Sequence, residues 1–157
     1  AMGFGVCGVL GAKLAAPERP CVAVVGDGCF SMHAHAVSTA VEYDLPVVWV
    51  VWNNKGYCSI RAMQLNFYGQ ELATSFMHEP SGNLMTPNFA EMAKACGAEG
   101  IQVQKPGDLK NALGAAIQAN KPYVVEVDVQ RDAALQSVAT WELPPFGHPE
   151  PSFPQKS

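Results

Sequence analysis

Residues 21–28 read Cys-Val-Ala-Val-Val-Gly-Asp-Gly, an apolar run of strand length that ends in Gly26-Asp27-Gly28. Residues 47–54 read Val-Val-Trp-Val-Val-Trp-Asn-Asn, a second run that ends in Asn53-Asn54 and is apolar on both faces, as buried parallel strands are. The 24 residues from 29 to 52 hold one predicted helix and one predicted strand, which make one crossover unit. Both polar clusters are therefore expected at the same edge of a parallel sheet, where such folds bind ligands.

The rest of the chain continues the alternation of helix and strand. Apolar periodicity predicts helices over residues 3–16, 30–43, 88–96 and 108–120, and strands over residues 100–104 and 123–129. Thr86-Pro87 marks the start of the third helix, and Asp108 is predicted to cap the fourth. Residues 55–85 are predicted to form one helix and then a long loop. This order predicts an open, mostly parallel α/β sheet with helices on both faces. It occupies residues 1–130 and is followed by a Pro-rich tail over residues 131–157.

Composition limits the classes of function. Charged residues make up only 15% of the chain and apolar residues 48%, which suits a domain whose faces are partly covered by partners. The net charge of −4, without a basic run, argues against nucleic acid, and no apolar stretch is long enough to span a membrane. Five cysteines without a C-x-x-C pair argue against a disulfide framework or zinc site and favour a reducing cytoplasm. Cys7, Cys21, Cys96, Trp49 and Trp52 are predicted to be core residues.

The two polar clusters carry chemistry that suits a metal and a phosphate. A carboxylate from Asp27, an amide oxygen from the double Asn and a nearby backbone carbonyl are hard oxygen ligands, which Mg²⁺ or Ca²⁺ prefers. The glycines beside Asp27 allow backbone N–H groups to approach a phosphate closely, and a helix starting near Phe30 aims its positive end at the same place. A Gly-Asp-Gly tripeptide alone is also typical of a tight turn. The pairing with Asn53-Asn54 favours a metal–diphosphate site.

The spacing from Gly-Asp-Gly to Asn-Asn resembles the cofactor motif of thiamine-diphosphate-dependent enzymes. The resemblance extends to Ala1-Met-Gly-Phe-Gly5 before the motif and to Asn53-Asn-Lys-Gly-Tyr57 in and after it. It is closest to the acetolactate synthase, benzoylformate decarboxylase and pyruvate oxidase group. It implies a homodimer or homotetramer that binds thiamine diphosphate and Mg²⁺. It also implies a carboligase or decarboxylase acting on 2-oxo acids or related small carbonyl compounds, and leaves an FAD requirement open.

The resemblance also implies site residues. Asp27 and Asn54 would bind Mg²⁺ through their side chains and Gly56 through its carbonyl, whereas Asn53 would shape the turn. Met2 would support the bent cofactor from below, although a core methionine is the alternative. The full set of implied cofactor-binding residues is Met2, Gly26, Gly28, Cys29, Asn54, Gly56, Tyr57 and Cys58, of which Gly28 and Cys29 would present backbone N–H or short side-chain groups to the diphosphate.

The residues that follow the implied metal ligands point to a substrate pocket that differs from the pockets of relatives. Ser59 and Ile60 match positions that face substrate, with ordinary helix-start packing as the alternative. Met63 stands where acetolactate synthases usually carry Trp, which argues for a different acceptor pocket. Ala36 replaces a glutamate that is common in the helix after Gly-Asp-Gly, and His33 is a candidate for the active-site edge.

The family's catalytic glutamate has no counterpart here, so no catalytic residue is assigned to this chain. A separate pyrimidine-binding domain is expected to supply it, from the same polypeptide or a partner chain. The chain starts inside a motif, and we expect a piece of a longer polypeptide or one subunit of a two-subunit enzyme. A non-catalytic cofactor-binding or interface module is the alternative function. A nucleotide-binding domain is disfavoured because no G-x-G-x-x-G follows the first strand.

The segment Asn66–Met85 is predicted to order over the diphosphate as a lid.

Overall fold

The computed structural model describes residues 1–131, so residues 132–157 of the predicted tail lie outside the described part. Helices and strands alternate along it, except for two successive helices within residues 27–42 and two successive strands within residues 77–84, and there is a 3-10 turn at Pro106–Asp108. In chain order they are α1 (Phe4–Ala15), β1 (Cys21–Gly26), α2 (Asp27–Met32), α3 (Ala36–Glu42), β2 (Val47–Asn53), α4 (Cys58–Tyr68), β3 (Met77–His78), β4 (Asn83–Leu84), α5 (Phe89–Ala95), β5 (Glu99–Val103), α6 (Leu109–Gln118) and β6 (Tyr123–Asp128).

The main sheet has four parallel strands in the order β1-β2-β6-β5, and β3 and β4 form a small antiparallel hairpin beside it. In the register of β1 and β2, Gly26 lies opposite Trp52. The two strands therefore end together, and Asp27 and the double Asn follow at the same carboxyl edge. The predicted α/β class, the parallel sheet and the shared edge are confirmed.

Helices cover both faces of the sheet, as predicted. On one face α1, α3 and α5 enclose a core around Trp49, whose Nε1 donates a hydrogen bond to the Val6 carbonyl at 2.9 Å. Phe30 and Phe89 meet edge to face in this core with ring centroids 5.4 Å apart. On the other face α6 packs small residues, Ala112 and Ala116, against the valines of β2 and β6. No helix among the described residues is long and apolar enough to cross a membrane.

Two helix predictions were wrong in detail. The single helix predicted over residues 30–43 is two short helices, α2 and α3, with a break at His33 (φ −136°, ψ 31°). The His33 imidazole packs over Gly3, where an added Cβ would lie 2.1 Å from its Cδ2, so a tertiary contact accompanies the break. Asp108 makes no side-chain capping bond to α6. The cap of α5 is Asn88, whose side chain accepts a hydrogen bond from the Glu91 amide.

Two predicted core residues lie at the surface. Cys7 is exposed because α1 turns Val6 and Val9 toward the sheet and Cys7 away from it. Trp52 is 42% exposed, since it stands at the carboxyl end of β2, outside the cluster that α6 covers. Cys21 and Cys96, by contrast, are half-buried against the core as expected.

Candidate metal and cofactor site

Asp27 is the buried acid of the site. It follows β1 as the first residue of α2, and it is only 1% exposed. Its Oδ1 accepts a hydrogen bond from the Gly28 amide at 2.8 Å, and its Oδ2 accepts one from the Gly56 amide at 3.0 Å. Burial raises the pKa of the Asp27 carboxyl, although the backbone hydrogen bonds, that of Gly56 first, oppose the shift. A cation beside this carboxyl would offset the cost of its desolvation.

The two asparagines after β2 differ in what their side chains are free to do. The Asn53 carboxamide is fully used: its Nδ2 donates to Thr86 Oγ1 and Glu126 Oε1, both at 2.7 Å, and its Oδ1 accepts from the Lys55 amide at 3.3 Å. The Asn54 carboxamide has no hydrogen-bond partner within residues 1–131, and only its backbone carbonyl is engaged. Asn54 is therefore the amide that remains available to a ligand.

The loop between β2 and α4, residues 54–57, is called the β2–α4 loop. Its backbone pairs with a later segment: the Tyr57 amide donates to the Thr74 carbonyl at 2.8 Å, and the Phe76 amide donates to the Lys55 carbonyl at 3.0 Å. A Cβ on Gly56 would lie 2.5 Å from the Thr74 carbonyl oxygen, so this close approach requires glycine. The Gly56 carbonyl accepts no hydrogen bond from any described residue, which leaves it free for a ligand.

Gly28 lies beneath an aromatic pair. A Cβ on Gly28 would lie 2.5 Å from Cε1 of Tyr57. The Tyr57 ring meets the Phe76 ring edge to face, with the ring centroids 4.9 Å apart. The Gly28 amide donates to Asp27, so the expected Gly28 N–H for the diphosphate is engaged elsewhere in this structure. The Cys29 amide, also in the first turn of α2, has no such partner. The Cys58 thiol donates to the Asn54 carbonyl at 3.6 Å and helps to fix the β2–α4 loop.

A side-chain network that the sequence analysis missed holds the β2–α4 loop from the other side. Arg131 Nη1 donates to the carbonyls of Lys55 (2.7 Å) and Asn54 (3.3 Å). Its Nη2 donates to the Ser75 hydroxyl. Arg131 follows the last strand without any motif around it, so the sequence gives no signal for this contact.

Ser75 also belongs to a bridge to α4. Its hydroxyl and the Arg61 guanidinium both donate to the Glu71 carboxylate, which forms an ion pair with Arg61. The hydrogen bond from Ser75 and, next, the one from Arg61 lower the pKa of Glu71. Residues 71–75 are thereby tied both to α4 and, through Arg131, to the β2–α4 loop.

The remaining predicted residues are more open. Met2 is 40% exposed, so the alternative of a core methionine is wrong within the described residues. It precedes Gly3, against which His33 packs. Ser59, Ile60 and Met63 are all exposed on α4, a helix without a single buried residue, so they are not core residues of the described part of the chain.

The donor set fits a divalent cation bound together with a diphosphate. Among residues 1–131 there is no cluster of three or more His, Cys, Asp or Glu side chains that could hold a metal ion alone. This edge offers instead one carboxylate and, in the loop that hydrogen-bonds to it, one carboxamide oxygen and one carbonyl oxygen without a partner among the described residues. Such an oxygen-rich, incomplete set is what Mg²⁺ takes when phosphates fill the remaining positions. The family model described as "Thiamine pyrophosphate enzyme, C-terminal TPP binding domain" matches residues 1–127. The chain belongs to this family.

Members of this thiamine-pyrophosphate family are similar to the chain over most of its length. The sulfoacetaldehyde acetyltransferase of Alcaligenes xylosoxydans xylosoxydans is 36% identical over 140 residues, which are 83% of this chain and 22% of the relative. The acetolactate synthase isozyme 3 large subunit of Escherichia coli is 36% identical over 134 residues, 85% of this chain and 22% of the relative. The chain thus spans about a fifth of the length of these curated relatives.

A solved structure shows the same fold within this family. The thiamine diphosphate-dependent 4-hydroxybenzoylformate decarboxylase of Rhodococcus jostii matches with a TM-score of 0.71 and 28% identity. The match covers 82% of this chain and 23% of the decarboxylase chain. Acetyltransferase, synthase and decarboxylase are all names of relatives, so the family assignment fixes the cofactor class and leaves the reaction to be determined.

Proposed function

We propose that this chain anchors the Mg²⁺ and diphosphate of thiamine diphosphate through Asp27, Asn54 and the Gly56 carbonyl. One observation carries the proposal. Beside the buried Asp27 carboxyl, the Asn54 carboxamide oxygen and the Gly56 carbonyl oxygen are the amide oxygens of the β2–α4 loop that no described residue engages. The neighbouring Asn53 has the same side chain but no free atom, so it serves the loop and not the metal.

The remaining groups of the site would position the cofactor. The Cys29 amide in the first turn of α2 would donate to a diphosphate oxygen, since amides at that position have no partner within the helix. Tyr57 and Phe76, which cover Gly28, would exclude water from one side of the anchored group. When bound, thiamine diphosphate supplies the reactive carbon centre and accepts the electrons of carbon–carbon bond cleavage. The protein's part is binding and orientation.

For the whole enzyme we propose a lyase or transferase that cleaves or forms carbon–carbon bonds of 2-oxo acids or related carbonyl compounds. The support is the set of similar proteins, which includes a synthase, an acetyltransferase and a decarboxylase. The catalytic glutamate would come from a pyrimidine-binding domain outside this chain, consistent with relatives of which it spans about a fifth. Product analysis of the assembled enzyme with 2-oxo acids, alone and with acceptor aldehydes, distinguishes decarboxylation from transfer. No carbonyl product from any 2-oxo acid would refute this assignment.

The anchoring role is tested by calorimetric titration of thiamine diphosphate, with and without Mg²⁺, into the assembled enzyme. Asp27→Ala should abolish Mg²⁺-dependent binding because it removes the charged ligand, and Asn54→Ala should weaken it strongly. Asp108→Ala is the matched control, since Asp108 is exposed and its side chain makes no capping bond. Unchanged affinity in the Asp27 variant would defeat the metal assignment.

A further inference from the structure

A second buried acid, Glu126, lies next to the site but is absent from the proposed ligand set. It is 2% exposed in β6, between the buried Val125 and Val127, and no cationic side chain pairs with it within residues 1–131. Its Oε1 accepts from Asn53 Nδ2 at 2.7 Å and its Oε2 accepts from the Ala90 amide at 3.1 Å. A carboxyl group in this position is costly to bury, so packing alone does not explain it.

The hydrogen bond from Asn53 gives Glu126 control over the start of the β2–α4 loop. A carboxamide has two donors on one side and an acceptor on the other. With the donors of Asn53 directed to Glu126 and Thr86, its Oδ1 is turned to the Lys55 amide. Lys55 has a φ of +61°, a left-handed conformation that residues other than glycine rarely adopt without support. The Asn53 carbonyl is held in addition by the Val129 amide at 3.1 Å.

The second oxygen of Glu126 fixes the carboxyl group itself. Ala90 lies in the first turn of α5, where backbone amides have no partner inside the helix. Glu126 accepts from this amide, while Asn88 accepts from that of Glu91. The carboxyl group is thereby held between a helix end and Asn53.

We propose that Glu126 is a positioning residue for the metal site. By orienting Asn53 it holds the turn at Lys55, the residue that joins Asn54 to Gly56. The inference rests on the proposed function, because it assigns a role toward ligands that the proposed function names.

The primary test is Glu126→Gln in the assembled enzyme, with thiamine diphosphate binding measured by calorimetry over a range of Mg²⁺ concentrations. Glutamine keeps the shape of the side chain, but its NH₂ group must face either Asn53 Nδ2 or the Ala90 amide. Both of those groups are themselves donors, so one of the two hydrogen bonds is lost. We expect the Kd for thiamine diphosphate and the Mg²⁺ concentration needed for half-saturation each to rise about tenfold, as for other groups that orient metal ligands. A change of less than about twofold in both would overturn the proposal.

A double-mutant cycle with Asn53→Ala separates positioning from a general loss of stability. If Glu126 acts through Asn53, the double variant binds about as weakly as Asn53→Ala alone. Fully multiplicative losses would refute the proposed route. Asn88→Ala is the matched control: it removes the other side-chain acceptor at the start of α5 without touching Asn53, and it should leave both affinities unchanged.

Two further variants complete the design. If Glu126→Gln fails to fold, Glu126→Asp tests the same contact, because it keeps the carboxylate but shortens its reach to Asn53 by one methylene group. It should raise the Kd for thiamine diphosphate and the Mg²⁺ concentration needed for half-saturation severalfold. If both stay unchanged, the proposal is overturned. Asp27→Ala distinguishes a failure of the proposed function from a failure of the positioning role alone. Unchanged binding in that variant defeats the proposed function, whereas lost binding there together with unchanged binding in Glu126→Gln defeats only the positioning role.

Discussion

Replacing Gly56 with alanine adds one methyl group where the β2–α4 loop meets its neighbouring segment. The added Cβ would lie 2.5 Å from the Thr74 carbonyl oxygen and 3.3 Å from the Ser75 Cα. The first distance is about 1 Å shorter than the optimal separation of about 3.5 Å between non-bonded atoms. The obstacle is backbone, so it moves only if the pairing between the two segments opens. The Tyr57 amide, which donates to that same carbonyl oxygen at 2.8 Å, would lose its partner.

The cost of this change follows from its two parts. Overpacking typically costs about 1–3 kcal/mol, and a lost backbone hydrogen bond adds about 1 kcal/mol. We therefore expect a loss of about 2–4 kcal/mol in the free energy of unfolding, which lowers the Tm by roughly 4–16 °C. The Gly56 amide also donates to Asp27, so moving it separates two proposed parts of the site. Mg²⁺-dependent affinity for thiamine diphosphate should fall about tenfold, although no ligand atom is removed.

Gly114→Ala is the matched control for this measurement. Gly114 lies inside α6, and a Cβ there would meet no atom within 4 Å. Alanine is favoured over glycine inside a helix by about 1 kcal/mol, so this variant should melt at the native temperature or slightly above it. Differential scanning calorimetry and cofactor titration of both variants give the comparison. If Gly56→Ala melts and binds Mg²⁺ with cofactor as Gly114→Ala does, the reasoning from the close approach is wrong.

Three further predictions concern the surroundings of the site. Substituting Ser59, Ile60 or Met63 should change the ratio of kcat/KM between 2-oxo acid substrates by about tenfold while leaving cofactor affinity nearly intact, since these side chains are exposed beyond the β2–α4 loop; equal losses on every substrate would contradict this. Mg²⁺ with thiamine diphosphate should slow proteolysis between residues 66 and 85, because anchoring the loop also fixes the segment paired with it, and equal cleavage rates with and without ligands would defeat the lid hypothesis. The hydrogen-bond donors of Glu71 lower its pKa below the ordinary 4.5, so the stability that it contributes should be complete above that pH and be lost as the pH falls through the lowered value; hydrogen exchange at residues 71–75 that does not speed up on acidification, or a Glu71→Gln variant with the same pH dependence, would argue against it.

The segment of the lid hypothesis, Asn66–Met85, is partly ordered into secondary structure. Of the segment Asn66–Met85, the first three residues belong to α4, and β3 and β4 form a hairpin within it. Phe76 is half-buried against Tyr57, whereas Phe67 and Tyr68 are exposed by 53% and 77%. Phe67 and Tyr68, which we expect to become buried when the segment orders over the ligand, are therefore still largely exposed. Ordering by ligand stays a prediction.

The sequence by itself determined the fold and predicted where the proposed site lies. Two apolar runs of strand length separated by one crossover unit predict adjacent parallel strands that end at one edge, because the hydrophobic pattern and the handedness of crossovers leave few alternatives. It also identified Asp27 and the double Asn, since polar groups that end buried strands lie where such sheets bind ligands. These inferences need only local pattern and connectivity.

The tertiary structure alone decided which of those polar groups are free. Asn53 and Asn54 are identical in the sequence, and they differ because Glu126, 73 residues after Asn53, accepts from one of them. Arg131, 77 residues after Asn54, likewise holds the loop carbonyls without a motif that announces it. A lone Glu in the apolar run of β6 was a usable signal, but its partner was not predictable. Hydrogen bonds between distant residues depend on how strands and helices pack in three dimensions, and a periodicity along the chain carries no record of that packing.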